Sequence, residues 1–99
     1  MYTIFYAAEV ANDLGRLRAY ERARILETIE NQLRYNPSES SRNRKILYGL
    51  VVPWDSCEPN WELRIGRYRV FYDVDESAST VCVRAVRFKP PHKTIREIL

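Results

Sequence analysis

One histidine, two cysteines and three glycines in 99 residues leave little material for several common chemistries. A single histidine cannot supply a His/His metal pair, and Cys57 and Cys82 do not have ligand spacing, so no metal centre is expected. No GxxxxGK(S/T) or GxGxxG segment occurs, which removes the usual nucleotide-cradling loops. No GxSxG turn presents a serine nucleophile either. No apolar run approaches the roughly 18 residues of a membrane span, and no basic-then-apolar leader opens the chain. These absences describe one cytoplasmic domain, residues 1–99, working without metal or cofactor, its two cysteines a reduced pair rather than a disulfide.

What is present is charge, unevenly placed. Residues 1–41 carry five basic and six acidic side chains, a net of −1, and residues 42–99 carry eleven and seven, a net of +4, so the basic excess sits in the second part. A basic surface there suits a polyanion, or simply keeps the protein soluble.

The pattern of the chain changes period along its length. "YTIFY" (2–6) is β-branched and aromatic, which suits a strand. From Ala7, Val10, Leu14 and Leu17 repeat at helical spacing, and from about Tyr20 so do Ile25, Ile29 and Leu33. Asn36-Pro37 ends this second helix, and two helices so close in sequence form a hairpin. "SESSRNRK" (38–45) reads as a loop. Residues 46–60, with Gly49, Pro53 and Pro59, read as irregular but apolar enough to pack against something. Three strands follow, from Trp61 to Ile65, Tyr68 to Val74 and Ser79 to Lys89, joined by short turns as a meander. Pro90-Pro91 stops the sheet, and "TIRE" (94–97) has capping-box spacing for one turn of helix. The expectation is an α+β fold, β-α-α-β-β-β, with a four-stranded, mainly antiparallel sheet. The helical hairpin lies on one face, and a short helical turn closes the chain.

Alternation directs Tyr68, Val70, Tyr72 and Val74 toward the helices. Glu62, Arg64, Arg69 and Phe71 then point to the other face, which no remaining element is long enough to cover. Arg44, Lys45, Arg87 and Lys89 are the other cations of this half, and aromatic residues lie between them, as in surfaces that stack bases. Each arginine alone also reads as a solvated strand residue. Together on one face they suit phosphodiester chemistry without metal. RNA cleavage by the 2′-hydroxyl needs a base, cations for the charge growing on phosphorus and a proton for the leaving oxygen. Arginine forks meet the second need. Glu62 is a candidate base or a cross-strand ion-pair partner, and His92 a candidate acid or an exposed loop residue.

The element order, the "NRKIL" segment and above all "WELRIGRYRVFYDVD" followed by "VCVRAVRFK" resemble the RelE/ParE superfamily of type II toxins over nearly the whole chain. The resemblance implies a compact microbial-RNase-like domain restrained by a cognate antitoxin in a hetero-oligomer. RelE-type members cut mRNA in the ribosomal A site, and ParE-type members act on DNA gyrase. It assigns Arg69 to the scissile phosphate and matches Arg64 and Lys89 to its support, with Arg87 two residues before Lys89. Glu62 stands where RelE has a lysine, and relatives that pair a glutamate with a C-terminal histidine suggest Glu62 with His92 for proton transfer without a residue-for-residue match. The pattern of cations and aromatics, rather than the resemblance, makes Arg44, Lys45, Arg87 and Phe71 candidate RNA contacts. This chain lacks the C-terminal tyrosine of RelE, its last tyrosine being Tyr72, and its segment 46–60 exceeds the usual family loop. The leading expectation is therefore a ribosome-dependent mRNA endonuclease. The alternatives are a gyrase inhibitor without nuclease chemistry, or a toxin relic that only binds antitoxin.

Overall fold

Period-two alternation through residues 60–88 builds the centre of the molecule. The computed structural model describes all 99 residues. The chain begins with strand β1 (Thr3–Tyr6) and helices α1 (Ala8–Gly15) and α2 (Ala19–Leu33). Strands β2 (Arg44–Leu47), β3 (Asn60–Ile65), β4 (Tyr68–Asp75) and β5 (Thr80–Phe88) follow, and helix α3 (Ile95–Ile98) ends it. The sheet order is β1-β5-β4-β3-β2. β1 runs parallel to β5 and every other pairing is antiparallel.

The sheet has five strands, not four. Residues 44–47 of the expected loop and irregular segment pair with β3 as an edge strand, Lys45 opposite Glu62 and Leu47 opposite Asn60. Four residues are too few to show a period, which is why alternation did not mark them.

One face of the sheet carries the core. Val10 and Leu14 of α1 and Ile25, Ile29 and Leu33 of α2 pack with Leu63, Val70, Tyr72, Val81 and Val83. The Tyr72 hydroxyl donates to the Pro37 carbonyl at 2.7 Å, so the chain leaving α2 is tied to the sheet. Thr94 and Glu97 form the expected capping box on α3. No helix is long and apolar enough to cross a membrane. Both cysteines are free, Cys57 exposed and Cys82 partly buried on β5.

Two local features set the other, open face. Gly66 adopts φ +58° in the β3–β4 turn, a conformation that costs other residues strain. This tight turn fixes Arg64 opposite Arg69. In β5 the register slips between the Phe71–Ala85 and Tyr72–Val83 pairs, leaving Arg84 as an extra, unopposed residue. The bulge returns Val86 to the core and turns Ala85 and Arg87 to the open face. That face is not bare. The irregular segment after β2 lays Trp54 on Phe71, with ring centroids 5.5 Å apart. Phe71, expected to be an exposed stacking surface, is 1% exposed and serves packing instead.

A cationic cleft on the open face of the sheet

Register decides which charges meet. Arg64, Arg69 and Arg87 are direct partners across β3, β4 and β5, three arginines abreast. Like charges opposite one another destabilise a sheet, and two of the three are neutralised from beside. Arg69 donates through Nε to Glu62 Oε1 at 2.9 Å. Arg87 donates to Asp13 Oδ2 of α1, also at 2.9 Å. Arg64 stays exposed and has no carboxylate partner.

Arg69 is the anchor of the site. It is 7% exposed, and its Nη1 donates to the carbonyls of Gly66 and Tyr68, each at 2.9 Å. With Nε held by Glu62, the guanidinium is fixed on three sides and Nη2 alone makes no hydrogen bond within the protein. Burial pulls its pKa below the usual arginine range. Glu62 opposes that shift and Arg64 adds to it. An arginine so placed remains charged at neutral pH.

Glu62 is 3% exposed. Its Oε1 accepts from Arg69, whereas Oε2 is buried without a hydrogen-bond donor, the one such side-chain oxygen in the molecule. Lys45 Nζ approaches it only to 3.7 Å. Buried acceptors are nearly always matched, and Oε2 is the exception here. Around it, Arg42, Lys45, Arg64, Arg69 and Lys89 line a cleft of about 260 Å³, with Ile95 of α3 at its rim. Five cations face one carboxylate there. Lys89 arrives by a backbone contact, its N–H donating to the Arg67 carbonyl at 2.7 Å, which sews the end of β5 to the β3–β4 turn.

The residues singled out from sequence therefore divide. Glu62, Arg64, Arg69, Lys45 and Lys89 share the cleft. Arg44 does not: its guanidinium turns to the helix side, donating to the Gln32 carbonyl and side chain and to the Glu39 carbonyl. Arg87 belongs to a neighbouring hollow, and Phe71 is covered. His92 is exposed in the turn before α3 and is not part of the cleft wall. Sequence reading passed over Arg42 in a polar loop, Trp54 in an irregular segment, and Asp13. Asp13 caps the Val86 N–H at 3.0 Å besides holding Arg87. Its only signal was a carboxylate next to the apolar stripe of α1.

A helix-backed, mainly antiparallel sheet whose open face gathers cations around a buried Arg–Glu pair defines an α+β domain of the microbial-RNase-like kind. Residues 4–88 match the family model of the ParE toxin of type II toxin–antitoxin systems, parDE, and the chain belongs to that family. It is a toxin of a type II toxin–antitoxin system. Solved structures share its fold at low identity. The RelBE2 toxin–antitoxin complex of Mycobacterium tuberculosis matches with TM-score 0.67 at 24% identity, covering 89% of this chain and 98% of that one. The archaeal RelE–RelB complex of Pyrococcus horikoshii matches with TM-score 0.68 at 21% identity, covering 94% and 98%. The isolated E. coli RelE toxin matches with TM-score 0.67 at 15% identity, covering 98% and 93%. No curated protein sequence matches the chain.

Proposed function

We propose that this toxin is a metal-independent endoribonuclease that cuts mRNA in the ribosomal A site and so stops translation. The observation that carries the reading is the cleft in which an immobilised Arg69 with a free Nη2 and the unpartnered Glu62 Oε2 stand among Lys45, Arg64 and Lys89. In the reaction the RNA 2′-hydroxyl gives its proton to Glu62 Oε2, and its oxygen attacks the adjacent phosphorus. The bond from phosphorus to the 5′-oxygen breaks, leaving a 2′,3′-cyclic phosphate and a 5′-hydroxyl. Arg69, Arg64 and Lys89 stabilise the charge that grows on the phosphate oxygens. The leaving 5′-oxygen takes a proton, the role assigned to His92. His92 lies outside the cleft wall, in the turn before α3. Rate enhancement then rests mainly on fixed charge.

The same reading places the protein in the cytoplasm. A cognate antitoxin encoded beside it holds it in a hetero-oligomer, as the RelE–RelB complexes are held. A second reading, inhibition of DNA gyrase without RNA chemistry, is the one the resemblance gives ParE-type toxins, and the match to the ParE toxin model favours it. Induced expression of wild type and of Arg64→Ala, whose side chain is exposed and whose loss spares the fold, separates them. Translation-dependent mRNA ends that fade in Arg64→Ala support the nuclease. Growth arrest with intact mRNA and a DNA-damage response supports gyrase, and a wild type that arrests nothing leaves neither activity.

A further inference from the structure

The cationic cleft is not the only hollow on the open face. A larger one, about 690 Å³, is walled by Trp54, Arg84, Arg87, Glu9 and Asp55. The two hollows share no lining residue, yet Arg69 of one and Arg87 of the other are direct cross-strand partners. Neighbouring strands are about 4.8 Å apart, so the two sites lie side by side.

Their chemistry differs. The cleft sets five cations against one carboxylate, whereas the larger hollow balances two arginines with two carboxylates. Both arginines are also already paired inside the protein, Arg84 with Asp73 at 2.7 Å and Arg87 with Asp13 at 2.9 Å. Nothing there draws a phosphate. What the hollow offers is planes and hydrogen-bonding edges. Trp54 is half-buried over Phe71, and the Arg87 guanidinium lies over the Trp54 ring, 5.7 Å from its centroid. Asp13 fixes that guanidinium, so the platform is preorganised. Unstacked bases settle on aromatic rings and on guanidinium planes. The carboxylates of Glu9 and Asp55 are acceptors suited to exocyclic amino groups.

We propose that this hollow seats a nucleobase of the single-stranded RNA whose phosphate lies in the neighbouring cleft, the base stacking on the Trp54–Arg87 platform. The site rests on the RNA reading above and adds to it a base subsite. It also gives a role to the long segment between β2 and β3, which delivers Trp54.

The two tryptophans make the test direct, because Trp61 is buried in the core and Trp54 reaches the hollow. Tryptophan emission and affinity are measured at low salt with a short unstructured RNA and with an abasic RNA of equal length. The intact RNA should quench emission and bind roughly five- to a hundredfold tighter, the range that base stacking supplies. The abasic RNA should bind without quenching. Arg87→Lys keeps the charge but not the plane, and should keep the abasic affinity while losing most of the base-dependent increment. Trp54→Phe keeps a ring over Phe71 and should retain that increment. Equal affinity for both RNAs with unchanged emission overturns the subsite and leaves the phosphate cleft standing. An undiminished increment in Arg87→Lys overturns it as well. Binding of neither RNA removes the subsite together with the RNA reading.

Discussion

The Glu62–Arg69 pair can be tested as a thermodynamic cycle. Both side chains are under a tenth exposed and meet at 2.9 Å. Glu62→Leu leaves Arg69 buried beside Arg64 without its counter-charge, and breaking one partner of such a pair costs about 3–5 kcal/mol. Arg69 keeps its bonds to the Gly66 and Tyr68 carbonyls, so the lower end, about 3 kcal/mol, is expected. Arg69→Met leaves the carboxylate with only Lys45 at 3.7 Å, at a cost of the same order, about 3 kcal/mol. In the double variant, Glu62→Leu with Arg69→Met, apolar contact replaces the ion pair, an exchange that is often neutral or stabilising. Its stability should return to within about 1 kcal/mol of wild type. For a domain of this size about 1 kcal/mol moves Tm by roughly 4–8 °C. Each single variant should therefore melt on the order of 12–24 °C lower, and the double close to wild type. Urea and thermal unfolding by circular dichroism read the cycle. Additive losses, with the double variant worse than either single, would refute the coupling and the view that the pair exists to hold a charge in place.

Asp13→Ala orphans the Val86 N–H and frees Arg87. A loss of about 1–3 kcal/mol in urea unfolding is expected, the cost of an unmatched buried donor. Tyr72→Phe removes the bond to the Pro37 carbonyl and should cost about 1 kcal/mol in the same assay. Burial pushes the Tyr72 hydroxyl well above the usual tyrosine range, and burial with Glu30 raises Tyr6 to about 12. A group that holds its proton more tightly when folded contributes stability below its unfolded pKa of about 10, and that contribution is lost as pH rises through the folded value. Stability should therefore fall above about pH 10, less steeply in Tyr72→Phe, as followed by tyrosinate absorbance and circular dichroism together. RNA affinity should drop with salt, the log–log slope being on the order of −2 to −3 for three or four phosphate contacts to a single strand. Fluorescence anisotropy should show Arg64→Ala flattening that slope.

Much of the fold was legible because β3 and β4 alternate, β5 does so on either side of its bulge, and α2 keeps its stripe of Ile25, Ile29 and Leu33. β2 was not, since four residues carry no period and two of them, Arg44 and Lys45, look like loop chemistry. The site was readable where alternation alone determines it, at Glu62, Arg64 and Arg69. Arg87 and Lys89 both follow the bulge at Arg84 and share one phase, yet they line different hollows, Arg87 with Trp54 and Lys89 with Glu62, a division that alternation does not encode. Long-range partners escaped for a different reason. Asp13 and Arg87 lie 74 residues apart, and Trp54 reaches Phe71 from a segment without regular structure. No local pattern encodes such contacts.

The central claim, that the cleft holds and cuts RNA, is tested most directly with purified components. Ribosomes stalled on a defined message are incubated with wild type, Arg64→Ala or Lys89→Ala, and the RNA ends are mapped. Cuts within the A-site codon that leave a 5′-hydroxyl are expected, weakened by each substitution and absent on the free message. An intact message on the ribosome, with supercoiling by purified gyrase abolished by the same preparation, would contradict it.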